Sequence, residues 1–105
     1  MDSRIIRKEN AEMMTTNEII TELKNSIARL ETWEHLADEA QSAWDAEPLN
    51  PDREAAADNY YELQWNEWHH AAHLLQRLTK IDGQTARKML NRGNRPKLNA
   101  ILSGV

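Results

Sequence analysis

Ala46-Glu47-Pro48-Leu49-Asn50-Pro51-Asp52, residues 46–52, lies between two long stretches of helical periodicity and contains what is needed to end one helix and begin another. Pro48 lacks a backbone donor and crowds the preceding turn, so a helix arriving from the N-terminal side stops near Glu47. Asn50 offers a side-chain oxygen to the bare N–H groups of a new helix, and Pro51 suits its first position, where a missing N–H costs nothing. So short a connection makes the two helices antiparallel neighbours.

Upstream, Ile19, Leu23, Ile27, Leu30, Trp33, Ala37, Ala40 and Trp44 recur at steps of three and four, the period of an amphipathic helix. Thr15-Thr16-Asn17-Glu18 forms a capping box with Thr15 as N-cap, and Met14 and Ile19 are spaced as a hydrophobic staple. These signals predict a first helix over about 15–47, after a flexible lead-in over 1–14. Downstream, Ala57, Tyr61, Trp65, Trp68, Ala72 and Leu75 continue the spacing and predict a second helix over about 51–80. Each helix is about 30 residues, or roughly 45 Å. Asp82-Gly83 reads as a turn, Gln84 to Arg92 as a short helix closed by Gly93, and residues 96–102 as a last turn or two carrying Leu98, Ile101 and Leu102. The expected fold is all-α, a hairpin of two long helices plus one or two short C-terminal helices, in a single domain over 15–105.

At 105 residues the chain can build one modest core. It has no Cys, which excludes disulfides, Cys-ligated zinc and thiol nucleophiles. It also lacks an apolar run near the roughly 18 residues of a membrane span, and a charged-then-apolar leader. A soluble, cytoplasmic protein is expected. The net charge of −4 conceals a division, because all 17 acidic residues fall at or before Asp82. Glu9 to Glu67 holds 15 acids against Lys24, Arg29 and Arg53, a balance of −12, whereas Gly83 to Val105 holds Arg87, Lys88, Arg92, Arg95 and Lys97 and no acid. An acidic body therefore carries a basic end.

Two carboxylates fall inside the apolar stripes. Glu34 lies beside Leu23, Leu30 and Ala37 on the first helix, and Glu67 among Tyr60, Leu63, Ala71, Leu74 and Leu78 on the second. An ionised carboxylate on a buried face is costly unless paired, so each position calls for a cation, a hydrogen-bond network or a metal. Counted from the turn, the two stand level within one helical turn, and His70 follows Glu67 at Glu-x-x-His spacing. One Glu from one helix with Glu-x-x-His from another is half of a di-iron carboxylate ligand set, in which oxygen and imidazole donors suit iron or manganese. The arrangement is similar to that of the encapsulated ferritins. This resemblance covers Glu34, Glu67, His70 and the hairpin around them, and it implies a ferroxidase-type centre with those three residues as ligands, completed only at a dimer interface. The second reading of the same residues is a polar network involving Arg, Gln41 or Gln64, or stems that pack while their heads reach water.

Other constellations are weaker. Glu62, His69 and His73 share a helix face at spacing that suits a zinc-like ion if another helix adds ligands, but that face is expected to be polar and solvated. Glu31-x-x-Glu34 resembles half of the magnesium motif of all-helical nucleotide pyrophosphohydrolases, and the partner motif is missing, since Asp58-x-x-x-Glu62 has the wrong spacing. Trp33, Trp44, Tyr61, Trp65 and Trp68 are expected on apolar faces, as core or as anchors of an interface. Two helices cannot cover four Trp alone, so homo-oligomerisation is expected. The basic patch of Arg87, Lys88, Arg92, Arg95 and Lys97 reads as a solvated cap or as a docking patch for another subunit's acidic face. Direct nucleic-acid binding is not expected beside so acidic a body. The expected function is a non-enzymatic interaction or assembly module, of a type met among phage and mobile-element proteins, with no cofactor and an unidentified protein partner. The alternatives are the iron or manganese protein, and an acidic nucleic-acid mimic that inhibits by occupying a basic groove.

Overall fold

The computed structural model describes residues 14–104. It consists of α1 (Thr16–Ala46), α2 (Pro51–Thr79), α3 (Gly83–Met89) and α4 (Arg95–Ser103). The two long helices form the expected antiparallel hairpin, and no strand occurs among the described residues. The expected lead-in lies, apart from Met14, outside them. Among the described residues no helix is long and apolar enough to cross a membrane.

Both long helices begin as their sequences dictate. The Glu18 N–H donates to Thr15 Oγ1 at 3.2 Å, and the Thr15 N–H donates to Glu18 Oε1 at 3.3 Å, satisfying two orphan donors at the α1 start. Met14 packs on the core cluster that includes Ile19, as the staple requires. At α2, the Asp52 N–H donates to Asn50 Oδ1 at 3.0 Å, with Pro51 as the first helical residue. Between them, Trp44 Nε1 donates to the Pro48 carbonyl at 3.3 Å, so the connection doubles back along the last turn of α1.

That doubling back shifts the register of the hairpin. Ser26 bonds Glu67 and Trp33 stacks on Tyr60, so the residue level with Glu34 is Asn59. Glu34 and Glu67 are therefore offset by eight residues, about 12 Å along the axes. Counting from the turn had placed them level, because it took the connection as symmetric.

The second corner also departs from its sequence signal. Asp82-Gly83 is not the turn. Lys80 takes the left-handed conformation (φ 58°, ψ 29°) that closes α2, and Asp82 caps α3 by accepting from the Thr85 N–H at 2.7 Å. Gly83 opens α3 where a Cβ would lie 3.0 Å from Arg87 Nη1. Nor does Gly93 close α3, which stops at Met89, and no glycine among the described residues has positive φ. The α3 end is held instead by Arg95, whose Nε and Nη2 donate to the Leu90 carbonyl at 3.1 and 2.6 Å. A basic side chain bonding the last carbonyls of a helix removes the need for glycine there.

The core sits at the open end of the hairpin. Ile19, Leu23 and Ile27 of α1 meet Ala71, Ala72, Leu74 and Leu75 of α2, and Ala86, Leu90, Leu98 and Leu102 close over them. Each fully buried Leu contributes about 1.5–3 kcal/mol. Lys80→Gly should raise stability by about 0.5–1 kcal/mol in urea unfolding, because relief of left-handed strain outweighs the added freedom of the unfolded chain. No gain would mean that the Lys80 side chain stabilises this corner by a comparable amount.

Candidate functional site: an aromatic groove beside a buried ion pair

Glu34, from the middle of α1, is 8% exposed and Arg95, the first residue of α4, is 5% exposed. Arg95 Nη1 donates to Glu34 Oε1, and Nη2 donates to Oε2 at 3.0 Å. Arg92 Nε adds a bond to Oε2 at 3.2 Å, and its Nη1 and Nη2 clasp Asp38 at 2.9 and 3.2 Å. With the Leu90 carbonyl, four of the five Arg95 N–H groups have acceptors, the satisfaction that a buried guanidinium demands. The buried carboxylate thus takes its cations from the basic end of its own chain. The basic patch divides accordingly, with Arg92 and Arg95 turned onto α1, Lys88 and Lys97 exposed and Arg87 half-buried.

Glu67 takes a separate set of partners. Ser26 Oγ donates to its Oε2 at 2.7 Å, and Arg29 Nε donates to Oε1 at 2.8 Å. Arg29 also reaches Glu22 at 2.6 Å, and Glu22 lies 3.3 Å from His70 Nε2. Glu34, Glu67 and His70 are not brought together within one subunit. Among the described residues no group of three or more His, Asp or Glu is placed to hold a metal ion. Gln41 bonds Asp45 at 2.8 Å, while Gln64 Oε1 is buried without a hydrogen-bond partner.

The aromatic residues separate into distinct roles. Trp33 stacks on Tyr60 across the hairpin, Trp44 fastens the turn and Trp68 packs against the core. Trp65, expected on the apolar face, is 59% exposed, and Tyr61 is 42% exposed. Glu67, two residues on and therefore roughly 200° round the helix, faces α1, so Trp65 faces away from it. His69 was expected on a solvated face with Glu62 and His73. It is instead half-buried against Trp65 and Trp68, at ring-centroid distances of 4.0 and 5.2 Å, because it follows Trp65 by four residues. Glu62 and His73 are exposed, and His35 pairs with Glu39 at 3.0 Å.

These elements enclose a groove of about 470 Å³. Tyr61, Gln64, Trp65 and Trp68 form the α2 wall, Leu90, Asn91 and Arg92 form the opposite wall, and the Glu34–Arg95 pair forms the floor. Aromatic walls with a few fixed polar groups are the usual make-up of a binding cleft. Sequence reasoning found the rings singly. It missed the groove, because the opposing wall exists only once Arg95 has docked. A second recess of about 300 Å³ on the α1 side of the pair is lined by Glu31, His35, Asp38, Pro96 and Asn99. Comparison of the chain with protein-family models, with curated proteins and with solved structures finds no match.

Arg95→Ala should cost about 3–5 kcal/mol in urea unfolding by leaving Glu34 buried and unpaired, whereas the double variant Glu34→Leu/Arg95→Met should recover most of that loss. The same low stability in both would show that the arginine matters only through the Leu90 carbonyl. Acid should weaken the fold as well. The Arg92 hydrogen bond holds the Asp38 carboxyl below its ordinary 3.8. At Glu22, burial pushes upward, but hydrogen bonds from Arg29 and His70 outweigh it and hold the carboxyl below 4.5. Groups lowered on folding stabilise above their ordinary values, and that stabilisation is lost as pH falls through the folded-state values. The urea midpoint should therefore fall on acidification below about pH 4, and Asp38→Asn should flatten that fall.

Proposed function

We propose that this protein is a non-enzymatic interaction or assembly module whose docking face is the aromatic groove between α2 and the α3–α4 corner. The observation that carries the reading is the exposure of Trp65 and Tyr61 beside a formed, concave recess. Large rings held on a rigid helix bind at low entropic cost, which is why Trp and Tyr are enriched among interface hot spots. The fixed polar groups here are spent on one another, as in the Glu34–Arg95–Arg92–Asp38 chain, so they supply position and rigidity in place of a reacting group. The exposed acids of the body add long-range steering toward a partner's complementary charge.

The test keeps Trp65 and Tyr61 and replaces Asn91, an exposed residue of the opposite groove wall, with the photo-cross-linking residue benzoylphenylalanine in the expressing cell. A discrete covalent adduct should form from position 91 and be absent from position 39, an exposed site on the outer face of α1. No adduct from position 91, or equal adducts from both, would overturn the reading.

A further inference from the structure

We infer that His69 is a pH-dependent clasp for the groove: protonation of its imidazole fixes Trp65 in the pose that forms the α2 wall. The docking face is thereby set in mildly acidic solution and loosened in mildly alkaline solution. The inference rests on the interaction reading above and supplies the regulation of that same site.

Three observations carry it. The first is a chain of ring contacts. Trp68 packs against the core, His69 meets Trp68 at 5.2 Å and 72°, and Trp65 meets His69 at 4.0 Å and 59°. The position of an indole that is 59% exposed is therefore passed outward from the core through one imidazole. The second is that Trp65 lines the groove in this same stacked pose. An exposed side chain released from such a contact samples other staggered rotamers, and each excursion opens the wall.

The third is the choice of partner. His35 pairs with Glu39 and His70 with Glu22, whereas His69 has no hydrogen bond or ion pair among the described residues and meets two indoles instead. Imidazole gains its charge between about pH 5 and 8. A cation beside an indole is attracted by the ring quadrupole, and Trp is the best aromatic partner for it. With no carboxylate bonded to His69, the added charge acts on the stack itself.

The charges around the stack belong to several elements. On α2, Glu62 and His73 are exposed to either side of His69. On α3, the Arg87 guanidinium lies beside Gly83 and Gln76, and Lys88 is exposed. At the corner Arg92 is held by Glu34 and Asp38. Glu22, Arg29, Glu67 and His70 form their network on the α1 side, to which Glu67 points from roughly 200° round the helix from His69. Glu62 favours the charged ring, and His73 and the nearby cations oppose it.

Nuclear magnetic resonance of the full chain reads both rings without any partner present. The Trp65 side-chain couplings should report one χ1 rotamer at about pH 5 and averaged rotamers at about pH 8, with the change centred where the His69 Cε1–H signal titrates. His69→Gln should leave Trp65 averaged at both values, while His73→Gln should keep the wild-type change, because His73 stacks on neither indole. Trp65 couplings that stay constant while wild-type His69 titrates, or that change equally in His69→Gln, would overturn the inference. The wild-type titration decides by itself if the variant does not fold. Irradiated in lysate, the position-91 cross-linker should give more adduct at the lower pH, a difference lost in His69→Gln; equal yields at both pH values also overturn the inference. Absence of any adduct instead rejects the interaction reading, and the couplings, which need no partner, tell the two failures apart.

Discussion

The structure depends on a carboxylate that cannot be left alone. Glu34 sits among the buried residues Leu30 and Ala37 of α1, where an unpaired charge would be unsustainable. Its pairing with Arg95 does three jobs. It neutralises the charge, it ties the first residue of α4 to the middle of α1, and through the Leu90 carbonyl it finishes α3. Buried ion pairs are often no better for stability than a well-packed apolar substitute, and their best-attested value is in specifying one arrangement over others. Here the arrangement specified is the corner between the short helices, which would otherwise have only a few apolar residues to locate it on the hairpin.

The hairpin was legible because its signals are local. A capping box, two stripes of period 3.6 and a Pro-Leu-Asn-Pro break act within a few residues of where they are written. Glu34 was also legible as a problem, since a carboxylate in an apolar stripe is visible on a helical wheel. Its solution was not, because Arg95 is 61 residues away and nothing local links the two. The basic end had a destination in the same molecule, and only the tertiary fold showed which of its arginines were spent there. The level placement of Glu34 and Glu67 failed for a related reason: a proline-rich connection can double back, and each residue of asymmetry shifts facing positions by about 1.5 Å.

The groove shows how one helix serves two surfaces. On α2, Ala71, Leu74 and Leu75 face the core, while Tyr61 and Trp65, nearer the hairpin turn, are only partly covered by their own chain. The C-terminal helices are too short to cover both ends and settle on the open one. What is left uncovered is an aromatic patch whose far wall is a charged corner, and this contrast is what makes the recess a site instead of a smooth apolar flank.

The distance along the chain between Glu34 and Arg95 has a consequence for the order of events. The hairpin can zip from its own turn through short-range contacts, but the carboxylate at its middle waits for a cation that is synthesised 61 residues later. Until the last short helix docks, that carboxylate has no buried partner. The pair is therefore a long-range contact that closes late in the chain, and the same guanidinium reaches the Leu90 carbonyl at the wall opposite Trp65.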